Sequence, residues 1–226
     1  MVNIVQIGCG YWGPNLLRNF HKLNNVKVKY VVENREDRRE YVRSNYSDIE
    51  VTEDLDSSLS DNDIDAVVVA TPAEYHHKHA KEVLLAGKHC LVEKPLAMKT
   101  AEAEELVLLA ERNKKVLMVG HTFLYNSAVH KLKEEIDKGT LGEVYYIYSQ
   151  RLNLGRIRTD INAMWNFAPH DVSICLFLIN SEPQWVSAIG ACYIQDTVED
   201  VVFLTIGFKN GVTANLHISW LDPNKV

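Results

Sequence analysis

The chain opens with the stretch Val2-Asn3-Ile4-Val5-Gln6-Ile7-Gly8-Cys9-Gly10-Tyr11-Trp12-Gly13, in which alternating apolar and polar residues lead into three glycines. Leu16, Leu17 and Phe20 follow at helical spacing, so the stretch predicts a strand, a glycine turn and a helix. In such a turn the second glycine lets the backbone approach a pyrophosphate, and the helix N-terminus favours the negative charge. We therefore predict that a dinucleotide binds the residues of this turn: Gly8, Gly10, Tyr11, Trp12 and Gly13.

A second strand is predicted over Val26–Val32, and it ends on Glu33, about 20 residues after the glycines. A carboxylate at this position accepts hydrogen bonds from the adenosine ribose hydroxyls, which favours NAD. NADP stays open as an alternative, because three arginines follow closely and can reach a 2′-phosphate: Arg35, Arg38 and Arg39.

Strand-like and helix-like segments alternate from there to Gly120. The β-branched run over 65–70 is typical of a parallel strand covered on both faces, and a strand over 89–92 ends in Glu93-Lys94-Pro95. The alternation predicts an α/β fold, with a doubly wound parallel Rossmann sheet over residues 1–120 and its ligand at the carboxyl ends of the strands. The remaining predicted cofactor-binding residues lie at or just after those ends: Glu33, Thr71, Pro72, His76 and Glu93.

The pattern changes after Gly120, and we predict a second, α+β domain over residues 121–226 for the substrate and for oligomerisation. A hairpin with the two-residue turn Asn210-Gly211 is predicted, and its second arm places alternate apolar residues on one face. The sheet is expected to be open and incomplete, since the chain stops where another strand is expected to begin. The other predicted helices and strands cover 128–138, 143–152, 171–179 and 184–194.

The composition argues against several classes of partner. Lys and Arg total 24 against 30 for Asp and Glu, and this net charge of −6 opposes binding to nucleic acid or anionic lipid. No apolar run approaches a membrane-spanning length, and the first strand leaves no room for a signal peptide, so we predict a cytoplasmic protein without membrane partners. The four dispersed cysteines are predicted to be reduced core residues, and no metal site is predicted.

Glu93-Lys94-Pro95, the glycine turn and the segment Ala70–His76 together resemble the Gfo/Idh/MocA family of sugar and cyclitol oxidoreductases. The resemblance runs the whole length of the chain. It implies a Rossmann domain for NAD(P), a substrate domain whose open sheet often serves in oligomerisation, and hydride transfer at a ring carbon bearing a hydroxyl or ketone. The family's lysine matches Lys94. A family pattern of an acid and a histidine four residues apart, at the start of a helix, matches Asn166 and His170, and Asn166 replaces the aspartate of many members.

These residues form the predicted catalytic set. His170 is assigned as acid/base and Lys94 as the group that orients the substrate and stabilises the alkoxide, with exchangeable roles. Asn166 can hydrogen-bond to substrate but cannot titrate. Predicted substrate contacts are His121, at a strand end, and Arg156 and Arg158, whose guanidinium groups suit phosphate or carboxylate.

The predicted function is an NAD(P)-dependent oxidoreductase acting on a sugar. Gly120–Tyr125 and Ser219–Pro223 resemble members of nucleotide-sugar or surface-polysaccharide pathways, which implies a nucleotide-activated sugar. Those members continue beyond this chain's end, so a C-terminal truncation is expected. Two alternatives stay open: a non-catalytic dinucleotide-binding protein, either a sensor or a truncated remnant, and an oxidoreductase for a cyclitol or imine. The expected partners are a small-molecule sugar and, through the open sheet, further copies of the chain.

Overall fold

The computed structural model describes residues 1–154, 157–159 and 161–224. The chain separates into two compact units, Met1–Gly120 and His121–Val226.

The first unit alternates strands and helices, and its six strands form one parallel sheet in the order β3-β2-β1-β4-β5-β6. The strands are β1 Val2–Ile7, β2 Val26–Val32, β3 Glu50–Thr52, β4 Ala66–Val69, β5 His89–Val92 and β6 Leu117–Val119. The helices are α1 Gly13–His21, α2 Glu36–Asn45, α3 Leu55–Ser60, α4 His76–Leu85 and α5 Thr100–Arg112, with a 3-10 turn over Ala73–Tyr75. This strand order is the doubly wound arrangement, and the predicted fold class is confirmed.

Strand β4 shows why the sheet is covered on both faces. Val67 and Val69 join the core cluster formed with α4 and α5, whereas Val68 joins the cluster formed with α1 and α2. None of these three valines is more than 2% exposed. Burying each such side chain contributes about 1.5–3 kcal/mol, so both helix layers hold the strand in place.

The strand order reverses between β1 and β4, which are neighbours in the sheet. In an open parallel sheet the crevice for a ligand lies outside the carboxyl ends of the strands at this point. Gly8 follows β1 directly, and Thr71 lies just beyond the end of β4. The predicted glycine turn therefore lies at the crevice.

The second unit contains a mixed four-stranded sheet in the order β7-β10-β9-β8. Its elements are α6 Ser127–Asp137, β7 Tyr146–Leu152, α7 Ala163–Ile179, β8 Pro183–Ala191, β9 Val201–Phe208 and β10 Thr213–Ser219, with a 3-10 turn over Thr122–Tyr125. Strand β7 is parallel to β10, and the other pairs are antiparallel. Residues of α7 pack with the inner residues of β9 and β10 in one core cluster, in which Ala214, Leu216 and Ile218 are at most 2% exposed. The predicted apolar face of β10 is confirmed.

Three predictions in the second unit are wrong. Helix α7 begins at Ala163 and not near Asp171, because Asn162 caps it by accepting the Trp165 N–H at 2.9 Å. Asn166 and His170 thus lie within the helix. The hairpin loop has three residues, since the Phe208 N–H donates to the Val212 carbonyl at 2.9 Å. Among the cysteines, Cys192 is exposed and does not belong to the core.

Candidate functional site

The glycine turn after β1 is shaped by two close backbone approaches. Gly8 has φ +90°, and a Cβ there would lie 2.8 Å from the Ala70 carbonyl oxygen. A Cβ on Gly13 would lie 2.7 Å from the Gly8 carbonyl oxygen. A Cβ on Gly10 would meet nothing within 4 Å, and no side chain caps the N-terminus of α1. Gly8 and Gly13 close the turn, and Gly10 leaves a backbone face open for a pyrophosphate.

Glu33, at the end of β2, is bound to this turn. One carboxylate oxygen accepts the Cys9 N–H at 2.7 Å, and the other accepts the Arg35 N–H at 3.0 Å. Arg38 binds the turn from α2, donating to the carbonyl oxygens of Cys9 at 2.6 Å and Gly10 at 2.8 Å. An acid and an arginine thus fix the turn from the adjacent strand and helix.

The two remaining arginines of this segment also have partners inside the unit. Arg39 is 8% exposed and donates to the carbonyl oxygens of Glu33 at 2.9 Å and Asn34 at 2.7 Å. Its guanidinium also pairs with Glu53 at 2.7 Å. Arg35 pairs with Asp37 at 2.6 Å. Arg38 and Arg39 are thus bound to backbone carbonyl oxygens of the unit, whereas the pair of Arg35 with Asp37 is exposed on the surface.

Two buried polar atoms lie at the ends of the neighbouring strands. Thr71 Oγ1 and Glu93 Oε1 are buried and have no hydrogen-bond partner within the described residues. Leaving such an atom unpaired costs about 1–3 kcal/mol, so these positions favour a polar ligand. Burial raises the pKa of Glu93, while the Lys94 backbone, the Lys94 charge and the Trp12 indole oppose that rise. Together with the open face at Gly10, these atoms fit a bound dinucleotide.

His76 joins the segments that follow β4 and β5. It is 2% exposed, and its ring nitrogens lie 2.6 Å from the Pro95 carbonyl oxygen and 2.8 Å from the Thr71 carbonyl oxygen. Burial lowers the pKa of His76, and a neutral imidazole donates to one of these acceptors at a time. Both ring nitrogens face backbone carbonyls, so His76 links the segments that contain Thr71 and Pro95.

Lys94 lies at the carboxyl end of β5, directly after the buried Glu93. Its backbone N–H donates to Glu93 Oε2 at 3.3 Å, and the Lys94–Pro95 peptide bond is cis. Glu93 itself is held by a hydrogen bond from its N–H to the Val69 carbonyl at 2.9 Å. The structure therefore brings the predicted lysine to the same sheet edge as Thr71, Pro72 and the glycine turn.

In the second unit, His170 and Asn166 lie four residues apart on α7, which puts them on the same helix face. The His170 ring packs against Phe123, with 4.8 Å between the ring centroids. Phe123 belongs to the 3-10 turn that directly follows His121. Three predicted site residues of this unit therefore lie on α7 or next to the turn that packs on it.

Two arginines, Arg156 and Arg158, are predicted as substrate contacts. Arg158 lies in the segment 157–159, where its carbonyl oxygen accepts a hydrogen bond from Gln195 at 2.8 Å. Arg156 lies outside the described residues.

Sequence reasoning missed a polar cluster on α7 and β7. The Asp171 carboxylate is 3% exposed and accepts hydrogen bonds from Ser149 Oγ at 2.8 Å and Arg151 Nε at 2.5 Å. The Arg151 guanidinium also lies over the Phe123 ring, 4.6 Å from its centroid. The sequence feature that could have indicated this cluster is the alternation of side chains along β7, which places Ser149 and Arg151 on the same face as Ile147.

Two of the histidines of α4 have acidic partners. His77 pairs with Glu105 at 2.7 Å and His79 with Glu82 at 3.2 Å. Across the described ranges, no group of three or more His, Cys, Asp or Glu side chains is arranged to hold a metal ion. None of the helices in those ranges combines the length and apolar character needed to cross a bilayer.

Comparison with known proteins agrees with both units. The family model described as "Oxidoreductase family, NAD-binding Rossmann fold" matches residues 2–121, and the "GFO/IDH/MocA C-terminal domain" matches residues 129–225. The structure of GenD2 from gentamicin A biosynthesis in complex with NAD superposes with a TM-score of 0.93 at 25% identity, covering 99% of this chain and 67% of that one.

Two curated relatives are similar over most of this chain. The UDP-N-acetylglucosamine 3-dehydrogenase of Acidithiobacillus ferrooxidans is 32% identical over 70% of this chain and 49% of its own length. The 1,5-anhydro-D-fructose reductase of Ensifer adhaerens is 31% identical over 72% of this chain and 53% of its own. The chain thus spans about half the length of these relatives. By its sequence, its Rossmann sheet and its second unit, the chain belongs to the Gfo/Idh/MocA family of NAD-binding oxidoreductases.

Proposed function

We propose that the protein transfers a hydride between NAD and a ring carbon of a sugar, with a nucleotide-activated sugar as the substrate class. The observation that carries the proposal is the sheet edge of the first unit, where an open glycine turn and Lys94 follow two strands of one sheet. Family membership supports the redox chemistry. The relative named UDP-N-acetylglucosamine 3-dehydrogenase supports the substrate class.

The chemistry assigns a separate task to each polar side chain. NAD, when bound, accepts or supplies the hydride. Oxidation of a hydroxyl also needs a charge partner for the developing alkoxide, which the Lys94 ammonium provides. His170 takes the hydroxyl proton, since an imidazole changes its charge near neutral pH. Asn166, on the same face of α7, holds a substrate hydroxyl without titrating.

The substrate contacts complete the proposal. His121 precedes the turn that packs on α7, and Arg158 follows β7, so both are proposed to bind polar groups of the sugar or of its activating group. Arg156 keeps its predicted role as a ligand of phosphate or carboxylate.

Lys94→Met tests the catalytic assignment. We expect turnover to fall by about 10²–10⁴-fold, the range for loss of one acid/base or charge-stabilising group, while NAD binding measured by calorimetry is retained. Lys99→Met is the matched control, because Lys99 is an exposed lysine nearby in sequence, paired with Glu102 at 3.6 Å. Full turnover in Lys94→Met would reject the role of Lys94.

The substrate class is tested with a panel of nucleotide sugars, free sugars and cyclitols, with NADH formation followed by absorbance. Preference for a nucleotide sugar, expressed as kcat/KM, is the expected result. Preference for a cyclitol would reject the substrate class and keep the redox function. NAD binding without turnover on the panel would favour a non-catalytic dinucleotide-binding protein.

The outer face of the second unit's sheet is proposed to join copies of the chain. Large side chains there are well exposed, among them Tyr146 at 69%, Tyr148 at 59% and Phe203 at 55%. An exposed aromatic patch of this kind marks an interaction surface. Tyr148→Asp with Phe203→Asp is expected to lower the mass measured by sedimentation, whereas Tyr193→Asp, outside the strands, leaves it unchanged. An unchanged mass in the double variant would reject this interface.

A further inference from the structure

We propose that Arg151 is a positioning residue for His170. Its guanidinium, fixed on the buried Asp171, holds the Phe123 ring against the His170 imidazole. The inference rests on the proposed acid/base role of His170 and concerns side chains of the second unit.

The first link is the pair between Arg151 and Asp171. Asp171 Oδ2 accepts from Arg151 Nε at 2.5 Å, and Oδ1 accepts from Arg151 Nη2 at 3.2 Å. Two parallel bonds fix the plane of a guanidinium as well as its position. Ser149 Oγ donates a third hydrogen bond to the carboxylate, at Oδ1, with a length of 2.8 Å. Strand β7 therefore holds the carboxylate of α7 through two side chains on the same face.

The second link is the contact between Arg151 and Phe123. The guanidinium carbon lies 4.6 Å from the Phe123 centroid, within the range of about 6 Å in which a cation is attracted to an aromatic face. Phe123 sits in a 3-10 turn of four residues, Thr122–Tyr125, which has no side-chain cap. Such a short turn leaves its ring to be placed by its neighbours, and Arg151 supplies a fixed one.

The third link is the contact between Phe123 and His170. Their centroids are 4.8 Å apart and their planes are inclined by 57°, a favourable arrangement for aromatic packing. Pro169 lies inside α7 directly before His170 and lacks the N–H of a regular helix turn. The helical bond from position 169 to the Trp165 carbonyl is therefore missing in the turn just before His170.

The series of contacts begins at Asp171 and ends at His170, and these two residues are adjacent in α7. The carboxylate that fixes Arg151 and the imidazole that Phe123 supports thus share one stretch of backbone. Displacing a reacting group by about 1 Å costs up to about 100-fold in rate. A Phe123 ring that keeps the imidazole in place is therefore expected to increase kcat.

The experiment uses the complete chain with ¹³Cε1-labelled histidine. The His170 signal is assigned with His170→Asn. Phe123→Leu removes the ring and keeps the ion pair, whereas Arg151→Lys keeps the charge and loses the planar fork. Both variants are expected to shift the His170 signal. His130, whose ring lies 5.4 Å from Phe177, is the internal control, and Phe177→Leu is expected to move its signal and not that of His170.

Turnover provides the second readout. Arg151→Lys and Phe123→Leu are each expected to lower kcat by about tenfold, with the Kd for NAD unchanged. The double variant is expected to lose about as much as either single variant, because both act through the same contact.

Three results overturn the inference. A His170 signal that is unchanged in Arg151→Lys removes the physical link, whatever the activity. Unchanged kcat in Arg151→Lys, alongside lost turnover in His170→Asn, shows that the link does not serve catalysis and leaves the proposed function standing. Retained turnover in His170→Asn rejects the role of His170 and the inference with it.

Discussion

Replacing Gly10 by alanine is expected to weaken NAD binding without lowering the stability of the fold. A Cβ at this position meets nothing within 4 Å, and the backbone is outside the positive-φ region that disfavours side chains. The protein itself therefore has room for the methyl group. The space that the methyl group fills is the space that the pyrophosphate is expected to occupy, so the cost falls on the ligand.

The expected magnitudes follow from that geometry. A glycine replaced by alanine without strain stabilises a protein by about 0.4–1 kcal/mol, so the melting temperature of Gly10→Ala is expected to stay constant or rise slightly. Loss of one hydrogen bond from the backbone to a charged phosphate costs about 1.5–3 kcal/mol. At about 1.4 kcal/mol for each factor of ten, NAD binding is expected to weaken by about 10- to 100-fold.

Gly8→Ala is the matched control, because it is expected to lower stability, whereas Gly10→Ala is not. Its φ is +90°, and its Cβ would lie 2.8 Å from the Ala70 carbonyl oxygen. The backbone strain of about 1–3 kcal/mol and a similar cost of overpacking predict a loss of about 2–6 kcal/mol in the free energy of unfolding. Calorimetric titration with NAD and denaturation in urea measure the two effects. NAD affinity unchanged in Gly10→Ala, or full stability in Gly8→Ala, would refute the reasoning.

Three further predictions concern stability. Leu216→Ala, at a position 2% exposed in the second unit's core, is expected to cost about 2–5 kcal/mol in urea denaturation, whereas the exposed Leu23→Ala changes stability by less than about 0.5 kcal/mol. The Lys29 ammonium holds the pKa of Asp61 at about 2, so the stability from this pair is lost as pH falls from about 4 to 2, and Asp61→Asn is expected to flatten that part of the profile. Burial raises the pKa of Glu93, so stability is expected to fall as pH rises above about 4.3, the unfolded value, and Glu93→Gln is expected to remove that fall.

The first unit was predictable because local and global signals agree there. The valine run of β4 is buried on both faces as predicted. Helix α3 was missed, since its six residues, Leu55–Ser60, are too few to show helical periodicity. The start of this helix is capped by the side chain of Asp54, which accepts the Ser57 N–H at 3.0 Å.

The second unit was harder because tertiary contacts override its local signals. Pro169 argues against a helix through that position, yet α7 runs across it. The helix is fixed at its start by Asn162, whose side chain also donates to Glu199 at 2.8 Å, a residue distant in sequence. Periodicity cannot reveal such a cap partner. The same holds for Arg151 and Asp171, whose pairing depends on β7 lying against α7.

Asn166 and Asp171 together explain why the Phe123 ring is proposed to orient His170. A carboxylate beside a catalytic histidine usually holds the imidazole in one orientation. The family resemblance implies an acid four residues before His170, but this chain has Asn166 there. Both carboxylate oxygens of Asp171, which follows His170, already accept hydrogen bonds from side chains of β7. Asp171 is thereby committed to Arg151, and it acts on His170 through the guanidinium and the Phe123 ring. In the proposed mechanism, an aromatic contact thus takes over the orienting task of a carboxylate, and Lys94 stabilises the alkoxide.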